Sequence, residues 1–322
     1  MSGAAAGAAL AGHAASQGFV VLDGGLATEL ERAGHKLNDP LWSAKVLLSD
    51  PGAVEAVHTA YLDAGADCVT TATYQATFQG LAARGIAGRR AEALLRGAVE
   101  LALRARERFC ARTAGRRNRL VPLVAASVGP YGAYLADGSE YRGDYSIGRE
   151  ALADFHRRRW HVLARSRADI LACETLPSLA EARVLARLAR ETPETPAWFS
   201  FTCRDAGHLS DGTPIGEVAA WADQEPGVST VGVNCIDASL VPELVGALAH
   251  GTAKPVIAYP NAGGVYDPRT RRWARAEPAP DWGEACRGWI AAGAVGVGGC
   301  CRVGPEAIRR MRAALVASRA GG

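Results

Sequence analysis

Three cysteines stand where their spacing can do metal chemistry. Cys235 closes the run Thr230-Val-Gly-Val-Asn-Cys, and Cys300 and Cys301 follow Ala294-Val-Gly-Val-Gly-Gly. Both runs are short, apolar and rich in β-branched residues, the pattern of parallel strands buried on both faces. Three protein thiolates with a fourth position open is the arrangement of a catalytic zinc, whereas a structural zinc site closes with four. Such a site activates a thiol: a free thiol with a pKa near 8.5 is mostly protonated at neutral pH, and metal binding holds it as the thiolate. Gly298 and Gly299 are expected to let the backbone turn so that two adjacent cysteines aim at one ion. Two alternatives stand beside this reading. Cysteine is among the most buried residue types and fills small spaces, and a neighbouring pair can form a vicinal disulfide. Cys203 also ends a strand and competes with Cys235 for the third position, while Cys68, Cys110, Cys173 and Cys286 read as packing.

Two carboxylates, Asp23 and Glu174, fall at strand ends as well. Singly, each reads equally as a helix cap or an arginine partner. Together, facing an anionic metal site, they are costly unless a cation lies between them, and an α-ammonium group meets that need. Trp42, Tyr74, Tyr131 and Tyr134 are candidates to face a cationic ligand through their rings.

These side chains need a frame that brings strand ends together. Strands are expected near Phe19–Asp23, Cys68–Thr73, Leu120–Ala126, Asp169–Glu174, Ala197–Cys203, Thr230–Cys235, Pro255–Pro260 and Ala294–Gly299. Helical patterns follow each, over Asp50–Ala64, Gly88–Ala111, Arg149–Ser166, Ser178–Arg190, Ile215–Ala222, Ser239–Ala249, Trp282–Ala292 and Gly304–Ser318. Eight β-then-α units in 322 residues predict an α/β fold, a single (β/α)8 TIM-type barrel, with a doubly wound open sheet as runner-up. In a closed barrel the sixth and eighth strands are separated by one strand, roughly 10 Å of backbone. The polar residues at the C-terminal strand ends, where barrel active sites form, are Asp23, Thr71, Thr73, Ser127, Glu174, Thr202, Cys203, Asn234, Cys235, Asn261, Cys300 and Cys301.

The formal charge of +3 is carried almost wholly by arginine, with lysine only at Lys36, Lys45 and Lys254. Arginines alternate with glutamate and alanine along helices, a solvated surface and not a nucleic-acid stripe, and the dense spot Arg116-Arg117-Asn118-Arg119 reads the same way. No stretch approaches the roughly 20 apolar residues of a membrane helix. Residues 1–17 are rich in alanine and glycine and lack the basic start of a secretion signal, so they are expected to be a flexible extension ahead of a barrel domain over 18–322. Eight cysteines without such a signal point to a reducing cytoplasm. An oligomer stays open.

The chain resembles the homocysteine S-methyltransferase family. The matching segments are Val21-Leu-Asp-Gly-Gly-Leu-Ala-Thr-Glu-Leu, Leu41-Trp-Ser-Ala, Thr71-Ala-Thr-Tyr-Gln-Ala-Thr, Ser127-Val-Gly-Pro-Tyr-Gly-Ala-Tyr-Leu-Ala-Asp-Gly-Ser-Glu-Tyr, Cys173-Glu-Thr-Leu-Pro, Gly232-Val-Asn-Cys and Gly298-Gly-Cys-Cys. The long loop over Ser127–Tyr145 looks most like the S-methylmethionine-using branch. The resemblance implies a (β/α)8 barrel with Zn2+ on Cys235, Cys300 and Cys301, and methyl transfer from a sulfonium donor to homocysteine. It further implies that Asp23 and Glu174 hold the homocysteine amino group and the Gly24–Gly25 backbone its carboxylate. Thr71 and Asn234 join the same substrate-binding set. Asp137, Ser139, Glu140 and Arg142 are the polar partners that the long loop offers a donor; betaine would need fewer. S-adenosylmethionine is a second donor, and a betaine-dependent homocysteine or selenocysteine methyltransferase is the alternative; more distant rivals are a barrel lyase with a phosphorylated substrate cradled by Gly296–Gly299, and a non-catalytic zinc or redox-sensing protein. A Schiff-base enzyme is excluded, because Lys254 precedes its strand.

Overall fold

Alternation within each apolar run decides the architecture. One set of residues along the strands (Val20 and Leu22, Cys68, Leu123 and Ala125, Ile170 and Ala172, Trp198, Ile257 and Tyr259) packs into a single cluster, and the intervening residues pack against helices. A sheet buried on both faces with period-two sidedness closes on itself. In the computed structural model, which describes residues 8–37, 39, 43–113, 119–267, 272–274 and 279–320, the strands are β1 Val20–Val21, β2 Cys68–Thr70, β3 Leu123–Val128, β4 Ile170–Leu176, β5 Ala197–Phe201, β6 Thr230–Asn234, β7 Val256–Tyr259 and β8 Ala294–Val297. All neighbours pair in parallel in the order β1-β8-β7-β6-β5-β4-β3-β2. A parallel bridge between Leu22 and Cys68 joins the two ends, giving the expected (β/α)8 barrel. Trp42 and the arginines at 116 and 117 lie outside the described residues.

The crossover helices follow the expected segments, and their starts follow from the sequence. Asp50 accepts a bond from the Ala53 amide ahead of Pro51–Ala64, with the proline at the first turn, and Ser178 does the same from Glu181 for Leu179–Glu191. Shorter elements sit after the C-terminal ends of the strands. Helices Leu26–Arg32 and Ala44–Ser49 follow β1, ahead of the first crossover helix. Helix Tyr131–Leu135 and the turn Ser139–Tyr141 follow β3, and small hairpins follow β5 and β7. These additions surround the mouth.

The amino-terminal segment departs from expectation. Instead of a flexible extension throughout, Ala8–Gln17 is a helix. Its Leu10 is 1% exposed and belongs to the barrel-interior cluster with Val20, Cys68 and Leu123. Burying one leucine stabilises by about 1.5–3 kcal/mol. A buried polar clasp fixes the end of the helix. Asp67, at the start of β2, accepts from Gln17 Nε2 at 2.7 Å, from the Val21 amide at 2.9 Å and from Arg312 Nη1 at 2.6 Å. The clasp ties the first helix, β1, β2 and the last helix together beneath the barrel.

Candidate active site and metal centre

Parity along the strands carries polar groups into the upper lumen. Continuing inward positions beyond the apolar cluster gives Thr70, Ser127, Glu174, Ser200, Asn234 and, on β7, the hydroxyl of Tyr259. These groups bond to one another. Glu174 accepts from the Ser127 hydroxyl on one oxygen and from Tyr259 Oη at 3.2 Å on the other. Tyr259 is in turn bonded to Trp198 Nε1 at 3.1 Å and to the Ser200 hydroxyl. Burial without partners would be costly for each; connected, they form a stiff floor.

Above this floor the three thiols meet. The sulfurs of Cys235, Cys300 and Cys301 lie within 4.8 Å of one another, with Cys235 Sγ and Cys301 Sγ 3.8 Å apart. Cys203 is not among them: it sits in the hairpin after β5, and burial pushes its thiol up to about 12. Cys68, Cys173 and Cys286 are buried and Cys110 packs against the core, as packing cysteines do. The local backbone aims the cluster. Cys235 has φ +54° and Arg302 φ +67°, left-handed values that non-glycine residues adopt only under constraint. Gly298 and Gly299 serve differently than expected. Neither has positive φ; a Cβ on Gly298 would meet Leu22 Cβ at 2.6 Å, and one on Gly299 would meet Val303 Cγ1 at 2.1 Å. They permit close approach of β1 and the following turn, and the reversal itself falls at Arg302.

Hydrogen bonds position the Cys301 backbone and two of the sulfurs. The Cys301 amide donates to Asn261 Oδ1 at 3.1 Å, Tyr141 Oη lies 3.3 Å from Cys235 Sγ, and Asn234 Nδ2 lies 3.9 Å from Cys300 Sγ. Bonds from the Cys300 and Cys301 thiols hold Cys235 well below the usual thiol range, against the burial that opposes it. An all-sulfur donor set with one thiol already favouring the anion fits a soft or borderline metal such as zinc.

A cavity of about 440 Å³ opens onto the cluster and is lined by Asp23, Thr71, Glu174, Cys235, Cys300 and Cys301 among others. Burial pushes the Asp23 carboxyl up to about 8, although Thr70 bonds it through its amide at 2.7 Å and its hydroxyl at 2.9 Å. Burial likewise raises Glu174 to about 7. Both carboxyls are therefore sites where charge is disfavoured until a cation arrives.

Not every expected site residue reaches the cavity. Asn234 is fully buried within the polar floor, where its Oδ1 accepts from the Thr175 amide at 2.7 Å and Ser200 Oγ at 2.8 Å. It holds Thr175, itself at φ +59°, and Cys300 in place. Gly24 and Gly25 do line the cavity, but the Gly25 amide is already committed to Val303 O at 2.9 Å. Of the aromatic candidates, Tyr74 lines the cavity, whereas Tyr131 and Tyr134 pack on Phe155. In the long loop, Asp137 caps Ser139 and Arg142 pairs with Asp144 at the surface. Glu140 faces the cavity, and so does Tyr141, which sequence reasoning missed.

A buried network pins that loop. Glu181 Oε1 accepts from the Tyr131 amide at 2.7 Å and pairs with His156 Nε2 at 2.7 Å, while the Tyr145 hydroxyl donates to Oε2. Arg159 bonds His156 Nδ1 at 2.8 Å and reaches the carbonyls of Gly129 and Tyr74 at 2.6 and 3.2 Å. Burial lowers the His156 pKa, so the ring stays neutral and Arg159 provides the cation that balances Glu181.

Comparison with known proteins bears on this arrangement. The homocysteine S-methyltransferase family model matches residues 20–315. Homocysteine S-methyltransferase YbgG of Bacillus subtilis is 49% identical over 295 residues, covering 92% of this chain and 94% of that one. Selenocysteine Se-methyltransferase of Brassica oleracea is 45% identical over 312 residues, covering 94% and 90%. The crystal structure of the metallated homocysteine methyltransferase MmuM from Escherichia coli matches with a TM-score of 0.82 at 45% identity, covering 92% of this chain and 96% of that chain. At this identity over this coverage, fold and cysteine cluster have a common explanation: the chain belongs to the homocysteine S-methyltransferase family of methyltransferases.

Proposed function

We propose that this cavity transfers a methyl group from S-methylmethionine to the thiolate of homocysteine, with zinc on Cys235, Cys300 and Cys301. The observation that carries the reading is three sulfurs within 4.8 Å of one another in a cavity that also holds two buried carboxyls of raised pKa. Bound zinc would keep the acceptor sulfur as a thiolate, with three cysteinates leaving it electron-rich. Glu174 and Asp23 pair with the acceptor α-ammonium, and ionise as it binds. Ser127, Tyr259 and Thr70 hold those carboxylates in fixed rotamers, so little orientation is lost on binding.

The acceptor thiol loses its proton to solvent on binding. Its sulfur lone pair forms the new S–CH3 bond while the donor S–CH3 bond breaks and leaves its electron pair on the donor sulfur. Both products are then methionine. No general base acts at carbon. The anionic cavity favours a cationic donor, and excluding water strengthens that attraction. Eight free thiols suit a reducing cytoplasm.

The test is to assay methionine from zinc-loaded protein with homocysteine and each donor. S-methylmethionine should be fastest, S-adenosylmethionine slower and betaine slowest. Betaine outperforming both sulfonium donors would overturn the donor assignment. The selenocysteine-using relative favours a second acceptor reading; kcat/KM for selenocysteine above that for homocysteine would establish it.

A further inference from the structure

Among the carboxylates of the cavity, Glu140 differs from Asp23 and Glu174. Those two are each held by protein donors, Thr70 for one and Ser127 with Tyr259 for the other. Glu140 Oε2 is sealed from solvent and accepts no hydrogen bond. A buried carboxylate oxygen without a donor costs more than an ordinary unmet hydrogen bond, because the group carries charge. Burial disfavours the Glu140 charge most, Cys235 and Asp137 repel it, and the attraction of Arg142, which is paired with Asp144, is the least of these influences. The residue nevertheless lines the cavity beside Tyr141 and Gly138 on the turn that follows helix Tyr131–Leu135. That turn is well anchored by the Glu181 network, so the exposure of Glu140 to the cavity belongs to a held segment.

We propose that Glu140 receives the α-ammonium of the methyl donor and sets donor choice. The inference rests on the sulfonium-donor reading above and adds the residue that recognises the donor. The missing partner is a hydrogen-bond donor, not merely a positive charge. A sulfonium centre and a trimethylammonium carry no N–H and cannot satisfy Oε2, whereas an amino-acid α-ammonium offers three such bonds. Glu174 and Asp23 lie on β4 and at the end of β1, with the acceptor; Glu140 lies on the loop after β3. The two ammonium groups thus have separate carboxylates, and a donor without an amino group leaves Glu140 unmet. Discrimination against betaine follows from the same contact.

The experiment uses zinc-loaded full-length protein with Glu140→Gln and Glu140→Ala, assayed at about pH 8 so that the wild-type carboxylate is ionised. KM for S-methylmethionine should rise by about tenfold or more, as for loss of one charge-assisted bond. KM for homocysteine and the zinc content should stay within about twofold of wild type. Dimethylthetin, a sulfonium carboxylate without an amino group, should keep its KM in both variants. An unchanged KM for S-methylmethionine, or an equal rise for both donors, overturns the assignment. A wild-type protein that turns over neither sulfonium overturns the donor reading, and this inference with it.

Discussion

Replacing Glu174 with glutamine separates a binding carboxylate from a structural one. The change keeps size and shape and removes the charge. At about pH 8, a group with a pKa near 7 is roughly nine-tenths ionised, so the wild-type protein presents an anion there. Losing a charge-assisted bond to the acceptor ammonium costs about 1.5–3 kcal/mol, or about ten- to 150-fold in KM for homocysteine where chemistry is slow. Stability should move the other way. The folded-state pKa lies above the usual 4.5, so ionisation is penalised in the fold, and the protein loses stability as pH rises through about 7. Glutamine cannot ionise and escapes that loss. Its melting temperature at about pH 8 should therefore equal or exceed the wild-type value, and its pH dependence should be flatter. The assay pairs steady-state kinetics on the zinc-loaded protein with thermal unfolding of the substrate-free protein at about pH 6 and 8. Unchanged KM together with a lowered melting temperature would refute the reasoning, because the carboxylate would then serve only Ser127 and Tyr259.

Three further outcomes are expected. Metal analysis should find about one zinc per chain, lost on Cys→Ala at Cys235, Cys300 or Cys301 and retained in Cys110→Ala and Cys286→Ala; full zinc in the Cys300→Ala Cys301→Ala protein would disprove the site. kcat/KM for homocysteine should rise between about pH 6 and 8.5 as Glu174 and then Asp23 ionise, with pKa values of about 7 and about 8; a flat profile would exclude them as the ammonium partners. Leu10→Ala should lower unfolding free energy by about 2–5 kcal/mol, read by denaturant titration, with zinc content unchanged; a neutral effect would show that the amino-terminal helix does not brace the barrel.

The barrel and its cysteine cluster were legible because their signals are local and repeated. Eight unbroken apolar runs state the parallel sheet, and Cys235 with Cys300 and Cys301 fall just past two of them. What escaped depends on tertiary placement. Tyr141 lies on a turn whose position is set by Glu181, Arg159 and His156 from two helices, and no spacing rule encodes that. Asn234 was legible as a mouth residue, but only the bonds to Thr175 and Ser200 show that it is taken up within the floor. The helix Ala8–Gln17 has an alanine-rich composition that reads as low complexity, and its order comes from one leucine and the Asp67 clasp.

The plugged floor of the barrel has a consequence for traffic. Leu10 and the apolar cluster fill the lower end, and the described cavity is lined by residues from the C-terminal strand ends and the loops beyond them. On the assignments proposed above, the acceptor on Glu174 and Asp23, at the ends of β4 and β1, is the inner guest, and the donor on the loop-borne Glu140 the outer. One doorway then enforces a queue: the inner guest enters first, the outer second, and the spent donor departs before the methylated acceptor can. A dead-end analogue of the donor that inhibits noncompetitively against homocysteine, instead of uncompetitively, would contradict that sequence of entry.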